Sequence, residues 1–299
     1  MATSVSLTLL YVAIAGAYGA VAYALAARGV APAWIALGAV VACFVVPFLL
    51  ATISFVLAWI FRTPRPPECT IGLAASLRLY VGEGMAMARS HPRMAFGWWA
   101  MRDPPPRPSQ APLLLLHGVL CNSGIWRGTI PRLVAAGCGP VYTLTYGPPT
   151  ASMELFAEQV AAKIDAICAA TGARQVALVG HSMGGVVARA YLRRYGGARV
   201  RCLVTIGAPH HGSVHAWMFP GVCLAQIRPG NAWLAALGAA RLPPGTRVVS
   251  LWSRHDSMVA PQASAELEGA ANVSFVGIGH NALIEHPGVV ARVVAELGC

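Results

Sequence analysis

A serine in a glycine-rich turn is the residue of this chain best placed to act as a nucleophile. The motif GHSMGG at 180–185 follows an apolar run, 176–179, and precedes a helical stretch, 186–195. A GxSxG turn between a strand and a helix is too tight for side chains beside the serine, and it presents the hydroxyl at a helix N-terminus. Backbone N–H groups there favour a developing oxyanion. The pattern predicts Ser182 as a catalytic nucleophile.

Few residues of this chain can supply the acid that such a serine requires. A base must take the serine proton and a carboxylate must orient that base, and in a nucleophile elbow both follow the serine along the chain, acid first. The only aspartate after Ser182 is Asp256, which stands a few residues after the apolar run 248–251. Asp256 is therefore the predicted acid. The alternatives for this role are Glu266, Glu268 and Glu285, which lie in helix-like or later segments.

Two histidines follow Asp256, and their surroundings differ. His280 lies in the glycine-rich segment GIGHN, directly after the apolar run 273–276, where a flexible loop could bring an imidazole back to the serine. His286 precedes Pro287 and is expected to cap or begin the final helix. We therefore predict His280 as the general base.

An oxyanion hole needs two N–H donors aimed at the developing charge. One is expected from Met183, directly after the nucleophile. The second is expected from HGVL at 117–120, which follows the apolar run 113–116, with Val119 the first choice and Leu120 the next. Gly118 lets this backbone turn toward the site, and Gly118, Leu120 and His181 are predicted to contact the substrate.

No metal or cofactor is predicted. The histidines His210, His211 and His215 could suggest a metal, but neither a carboxylate nor a cysteine lies near them in the sequence, so we expect them to shape a loop. The eight cysteines contain no CxxC pair.

The elements that must position these residues begin at Ala111. Short apolar runs there alternate with helical stretches, of which 153–170 carries Glu154 and Glu158 in its first turns. Strands alternating with helices imply right-handed crossovers and a doubly wound, mostly parallel α/β sheet over 111–299. The predicted strands are 113–116, 141–145, 176–179, 202–206, 248–251 and 273–276.

Two uncharged apolar stretches, Val5 to Ala27 and Ala33 to Phe61, precede this domain. Each is longer than the roughly 20 residues needed to cross a bilayer, so residues 1–61 are predicted to form a transmembrane helical hairpin in which Pro47 kinks the second helix. A secretory signal peptide is the alternative, because ALA at 24–26 resembles a cleavage site, but no basic residue precedes Leu7.

The arginines flanking the hairpin are unequal. Arg62, Arg65 and Arg78 follow the second stretch, whereas only Arg28 lies between the two. The positive-inside rule then places both termini, and the catalytic domain, in the cytoplasm. We expect the enzyme in the inner membrane of a bacterium.

Residues 62–110 are predicted to be a basic, Pro-rich connector. Its aromatic cluster, Phe96, Trp98 and Trp99, suits a membrane interface, and a partly helical linker whose aromatics pack on the next domain is an equal alternative. The proline-rich run 103–108 marks the domain boundary, because consecutive prolines join neither a helix nor a central strand.

Composition favours a membrane over a nucleic acid as partner. Hydrophobic residues make up 56% of the chain and charged residues 11%, and the net charge is +11. Soluble domains hold about 45–50% apolar and about 25% charged residues. The arginines are scattered rather than interleaved with aromatic residues, so no nucleic-acid module is indicated.

Taken together, the motifs resemble the bacterial lipase and esterase branch of the α/β-hydrolase superfamily, including lipase-like proteins related to lipid and glycolipid deacylases. The segments that carry the resemblance are HGVLCNSGIW at 117–126, GHSMGGVVAR at 180–189, TIGAPHHGS at 205–213, SRHDSMV at 253–259 and VGIGHNAL at 276–283. The resemblance implies a sheet of about eight strands in its fullest form. It also implies a cap between the later strands, here 213–242, whose Trp217 could contact acyl chains.

The expected function is that of a membrane-anchored serine hydrolase acting on lipids or lipophilic esters. Many secreted lipases of this kind build a calcium site from aspartates, and because no Asp follows Asp256 we expect no structural calcium. Thioesterase, amidase and acyltransferase activities use the same residues and stay open. From a different class, a non-catalytic membrane binding or scaffold module is the remaining alternative.

Overall fold

The computed structural model describes residues 2–97 and 101–298 of the protein. Trp98 and Trp99 of the expected aromatic cluster lie outside the described residues, and the interpretation of that cluster stays a prediction. Phe96, its third member, contacts the ring of Tyr11 with centroids 6.1 Å apart.

Two apolar helices open the chain, α1 (Ala2–Ala27) and α2 (Pro32–Ile60). They pack against each other, and the Tyr18 hydroxyl donates to the Ile35 carbonyl. Helix α2 continues through Pro47 and is long and apolar enough to cross a membrane. Within α1, the part from Tyr11 to Ala27 is apolar but shorter than such a span.

The predicted connector is largely helical. Helix α3 (Leu73–Phe96) runs through it and packs on both α1 and α2. The contact with α2 is close, because a Cβ added at Gly84 would lie 2.7 Å from the Phe48 ring. The Tyr80 hydroxyl also lies 2.8 Å from Thr52 Oγ1. The connector therefore joins the apolar helices to the following domain through a packed helix.

Six strands form one parallel sheet in the C-terminal part of the chain. Its spatial order is β2-β1-β3-β4-β5-β6, and each neighbouring pair runs parallel. The strands are β1 (Leu113–Leu116), β2 (Val141–Leu144), β3 (Val176–His181), β4 (Val200–Ile206), β5 (Arg247–Ser253) and β6 (Ala271–Phe275). Each predicted run overlaps one of these strands, and the predicted doubly wound parallel sheet is confirmed. Among the described residues the sheet has six strands, fewer than the fullest form of the fold.

Among residues 101–298, six further α-helices lie around the sheet and in the segment between β4 and β5. They are α4 (Ile130–Ala135), α5 (Met153–Thr171), α6 (Met183–Tyr195), α7 (Val222–Gln226), α8 (Ala232–Ala239) and α9 (Pro287–Leu297). Ser152 caps the N-terminus of α5, with its Oγ accepting from the Leu155 N–H, and Gly172, in the left-handed conformation, caps the C-terminus. His286 caps α9 by accepting from the Gly288 N–H, as predicted.

The core lies on both faces of the sheet. Successive side chains of a strand point to opposite faces. Accordingly, the odd-numbered leucines of β1, 113 and 115, pack in one cluster with α4 and α9, and the even-numbered leucines, 114 and 116, pack in another with α5 and α6. A strand buried on both faces reads as a continuous apolar run, which is why LLLL predicts β1 so well.

The predicted cap segment lies between β4 and β5. It contains a short 3-10 turn, Val214–Trp217, followed by α7 and α8. The turn contacts α2, because His215 Nε2 lies 3.2 Å from the Ser54 carbonyl oxygen. The cap thus touches one of the apolar N-terminal helices.

Candidate active site

Ser182 occupies a strained turn between β3 and α6. Its φ is 55° and its ψ is −128°, a left-handed conformation that is uncommon for a residue with a side chain. Such strain is concentrated at functional sites. Glycine is needed around it: a Cβ at Gly180 would lie 2.6 Å from the backbone of Gly184. A Cβ at Gly184 would overlap the carbonyl of Leu116. The turn has the geometry expected of a nucleophile elbow.

The structure brings the predicted acid and base together. His280 Nδ1 lies 2.9 Å from Asp256 Oδ2. The other carboxylate oxygen, Oδ1, accepts from the N–H groups of Met258 at 2.8 Å and Val259 at 2.7 Å. Asp256 and His280 are each 2% exposed. Because the carboxylate is fixed by backbone donors, it holds the proton of His280 on Nδ1 and leaves Nε2 free to accept.

The end of β4 lies between Ser182 and this pair. The Ser182 N–H donates to the Ile206 carbonyl at 2.9 Å. The next residue, Gly207, has φ +56°, and a Cβ there would lie 3.1 Å from Asp256 Oδ2 and 3.2 Å from His280 Nδ1. Sequence reasoning did not select Gly207 as a site residue, although it lies inside the quoted segment TIGAPHHGS. The loops that follow β3, β5 and β6 therefore meet at the carboxyl edge of the sheet.

The environment of His280 raises its basicity. Burial is the strongest influence and disfavours the imidazolium, but the charge of Asp256, the hydrogen bond to it and the charge of Glu83 together outweigh burial. The pKa of His280 accordingly lies above its ordinary value. A histidine adjusted in this way is suited to receive a proton.

The N–H groups of Met183 and Val119 are the predicted donors of the oxyanion hole. Met183 is the first residue of α6, so its N–H has no acceptor within the helix. Among the described residues, neither the Met183 N–H nor the Val119 N–H donates to an acceptor. The carbonyl oxygen of Gly118, the residue before Val119, lies 2.8 Å from His117 Nδ1. Both N–H groups could therefore donate to an oxyanion, and their assignment to the oxyanion hole stays a prediction.

The predicted substrate contacts near Ser182 differ in exposure. A Cβ at Gly118 would lie 3.0 Å from Ser182 Cβ, so glycine allows this loop its close approach. Leu120 is 36% exposed and, like Ser182, has a left-handed φ, here 52°. His181 is buried, and its ring lies edge-on to Trp126 and 4.7 Å from the ring of His280. His181 thus packs against the base, whereas Leu120 faces outward.

Trp217 lies on the surface of the cap. It is 64% exposed, and the Arg228 guanidinium lies 4.2 Å from its ring centre. Met218 and Phe219 beside it are also exposed. Its proposed contact with an acyl chain stays a prediction, supported by this apolar surface on the cap.

Glu83 of α3 is a site residue that sequence reasoning missed. It is fully buried and accepts from the Ser257 hydroxyl at 2.7 Å, next to the predicted acid. It also accepts from the N–H groups of Asn281 and Ala282, both at 3.0 Å, directly after the predicted base. Its sequence context, Gly82-Glu83-Gly84 in an arginine-rich connector, carries no known motif, so only the fold reveals it.

His210, in the segment after β4, has structural partners. His210 Nε2 lies 3.0 Å from Thr205 Oγ1, and its Nδ1 faces Arg189 at 3.4 Å. Burial and the neighbouring Arg189 hold the pKa of His210 well below its ordinary value. Over the described ranges, no group of three or more His, Cys, Asp or Glu side chains is arranged to hold a metal ion.

Comparison with known proteins agrees with this architecture. Residues 111–236 match the family model described as the alpha/beta hydrolase fold. Among solved structures, a lipase B from Aspergillus fumigatus superposes with a TM-score of 0.57 at 20% identity, covering 64% of this chain and 53% of the other. A mature lipase from Bacillus licheniformis gives 0.55 at 18% identity, covering 64% and 94%. The chain has an α/β-hydrolase fold.

Two segments of the chain are similar in sequence to lipases. A triacylglycerol lipase of Vibrio cholerae is 33% identical over 116 residues, which is 37% of this chain and 36% of that protein. A triacylglycerol lipase of Pseudarthrobacter phenanthrenivorans is 44% identical over 59 residues, 20% of this chain and 18% of that protein. The chain therefore spans about a third or less of the length of these curated relatives. Over these segments the chain is similar to triacylglycerol lipases.

Proposed function

We propose that this protein is a membrane-anchored serine hydrolase that cleaves carboxylic ester bonds of lipids or lipophilic esters. The observation that carries the proposal is the buried pair of Asp256 and His280 at the same sheet edge as the strained Ser182. A serine hydroxyl is a weak nucleophile at neutral pH and needs such a base. The similarity to triacylglycerol lipases supports an ester substrate.

The reaction follows from the placement of these groups. His280 accepts the Ser182 proton at Nε2 as Oγ attacks the ester carbonyl, while Asp256 stabilises the imidazolium through Nδ1. The N–H groups of Met183 and Val119 donate to the oxyanion of the tetrahedral intermediate. His280 then protonates the leaving alcohol, and a water molecule activated by the same base releases the acyl group.

Anchoring by the N-terminal helices is part of the proposal. Helix α2 is long and apolar enough to cross a bilayer, and many of its large side chains are exposed, among them Val41, Val45 and Trp59. The prediction that the catalytic domain faces the cytoplasm rests on the arginines after α2 and is unchanged. Carbonate extraction of membranes tests the anchor: we expect the protein to stay in the pellet, and release into the supernatant would argue against a spanning helix.

A cleft beside the end of α2 supports a substrate that comes from lipid. It has a volume of about 610 Å³ and is lined by the apolar side chains of Phe55, Trp59 and Leu79, and also by Asp256. The lining also contains Arg62, Arg65 and His255, so the cleft has both apolar and polar sides between the predicted anchoring helix and the loop of the predicted acid. Its position beside the predicted anchor, rather than its lining, favours lipophilic over water-soluble esters.

The proposed chemistry is tested with chromogenic esters of short, medium and long acyl chains and the detergent-solubilised protein. Ser182→Ala and His280→Ala are expected to abolish hydrolysis. His286→Ala is the matched control, since His286 caps α9 and should leave the rate unchanged. A native protein inert toward every ester, thioester and amide tested would favour the non-catalytic membrane module. A preference for long chains would identify a lipase, and transfer to an added alcohol over water an acyltransferase.

A further inference from the structure

Glu83 lies where the loops of the predicted acid and base come together. Its carboxylate has four donors: the Ser257 hydroxyl, the Asn281 backbone N–H, the Asn281 side-chain amide at 2.9 Å and the Ala282 N–H. Ser257 is the residue after Asp256, and Asn281 is the residue after His280. One buried carboxylate therefore binds both loops at positions adjacent to the catalytic side chains.

Burial makes these hydrogen bonds consequential. A carboxylate is expensive to bury unless its oxygens are satisfied, and hydrogen bonds to a charged acceptor are stronger than neutral ones. Glu83 is 0% exposed, and a Cβ at Gly279 would overlap its carboxylate, so the loop approaches it as closely as glycine permits. The Ser257 hydroxyl also accepts from the His280 N–H at 3.4 Å, which ties the two loops to each other.

We propose that Glu83 is a positioning residue of the hydrolase: it holds the loops of Asp256 and His280 in register and adds negative charge behind the base. Because α3 packs on α2, the predicted membrane anchor is joined through this residue to the catalytic apparatus. The hydrolase domain taken from residue 111 onward would lack a buried part of its own site. This inference rests on the proposed function.

Glu83→Gln in the full chain tests the proposal. The amide keeps the size of the side chain but loses the charge and turns N–H donors toward donors of the loop. We expect kcat for ester hydrolysis to fall about tenfold or more, the scale of losing one hydrogen bond to a charged group, with KM nearly unchanged. Glu285→Gln is the matched control. Glu285 pairs with Arg93, which lies in α3 like Glu83, but Glu285 does not contact Asp256 or His280.

A pH profile separates positioning from general support of the fold. The charged and titratable groups facing His280 are Asp256, Glu83, His181 and His215. Since Glu83 favours the imidazolium, its loss should move the acidic limb of kcat/KM to lower pH. Glu83→Asp, which keeps the charge, should restore the limb while the rate stays reduced. An unshifted limb in Glu83→Gln, or a rate equal to that of Glu285→Gln, would overturn the proposal.

Hydrogen exchange gives a readout that does not need activity. In Glu83→Gln we expect faster exchange of the N–H groups of 257–259 and 280–282, and unchanged exchange in β3. If the native protein hydrolysed no ester and exchange still increased there, the proposed function would fail while the positioning role stood. If the native protein were active and exchange in these loops did not change, the positioning role would be wrong. Should Glu83→Gln not fold, the same comparison is made with Glu83→Asp, whose loops must then exchange faster than in the native protein.

Discussion

The predicted nucleophile and the predicted acid–base pair lie at the same edge of the sheet but are held there by different contacts. Ser182 is held largely by its own neighbours in the chain, β3 and α6, which approach so closely that Gly180 leaves no room for a side chain, while the end of β1 fills the space beside Gly184. Asp256 and His280 lie on loops after β5 and β6, and these loops are fixed by hydrogen bonds to each other and to Glu83 of α3. One region is local, and the other depends on a helix far away in the sequence.

The two regions also differ in their electrostatics. On the side of the nucleophile, burial lowers the pKa of His117 to about 4, and burial together with the nearby His280 lowers that of His181 well below its ordinary value. On the other side, the carboxylates of Asp256 and Glu83 raise the pKa of His280. Adjacent imidazoles are thus separated into rings that stay neutral and one that can accept a proton. Paired groups with diverging pKa values are typical of acid–base sites.

Replacing the acid should have the largest effect, and it falls on the acid–base region alone. In Asp256→Asn, Oδ1 can still accept from Met258 and Val259, but the amide then donates toward His280 Nδ1. The imidazole must place its proton on Nε2 and can no longer accept from Ser182. We expect kcat to fall about 10⁴-fold, the scale for replacing a triad aspartate by asparagine, with the fold preserved.

Steady-state kinetics and thermal unfolding in detergent measure this. Asp103→Asn serves as the control, because Asp103 is half exposed and pairs with Lys163 at 2.5 Å, away from the site. If Asp256→Asn kept a tenth of the native rate, Asp256 would not be the orienting acid, and Glu83 would be the next residue to examine.

Adding one methyl group at Gly184 should disrupt the turn that holds Ser182. Gly184→Ala would place a Cβ 2.7 Å from the His117 carbonyl, against backbone that has no freedom to move aside. Ala is favoured over Gly within helices by about 1 kcal/mol, so this steric overlap is opposed by propensity. Overpacking costs about 1–3 kcal/mol, and we expect it to prevail, with a loss of stability and a fall of about 10²-fold in rate as the elbow shifts.

Gly238→Ala is the matched test of this argument. Gly238 also lies in a helix, α8, but a Cβ there would meet nothing within 4 Å. The same substitution should therefore be neutral or stabilising by up to about 1 kcal/mol. Equal unfolding temperatures for the two variants would show that the elbow is not as tightly packed as its geometry indicates.

The same division between local and distant contacts decides what the sequence could predict. The strands and the elbow are local patterns, such as LLLL in β1 and GHSMGG after β3, and both were predicted with boundaries close to those observed. Scarcity selected Asp256, and the placement of His280 against it agrees with its glycine-rich context. Glu83 escaped because its contacts lie more than 170 residues away in the chain, as with Ser257, and no local pattern encodes them. A partly helical connector was one of two predicted alternatives, and local pattern could not decide between them: Pro92 lies within α3, and the prolines and arginines around it are typical of a linker.

A pH series separates the two regions with smaller effects. Catalysis needs neutral His280, and because its folded pKa is raised, the acidic limb of kcat/KM should have its midpoint above about 6.5 and fall about tenfold per pH unit below it. The stability of the fold should follow the other buried histidines, whose pKa values are shifted in the opposite direction from that of His280. The folded pKa values of His117 and His181 are depressed, so the unfolded chain binds more protons once the pH falls below about 6.5, and acid destabilises the fold.

His280 opposes this trend, since its raised pKa contributes stability that is present at low pH and lost as the pH rises through the folded value. It is outnumbered, however, because His210 is depressed as well. We therefore expect the unfolding temperature of Ser182→Ala, which removes turnover from the measurement, to fall between about pH 6.5 and pH 4, with each depressed histidine costing up to about 1.4 kcal/mol per pH unit. His117→Gln should make the fall shallower without moving the acidic limb of kcat/KM. A variant that moved both together would show that the nucleophile and the acid–base pair titrate as one unit, against the division proposed for them.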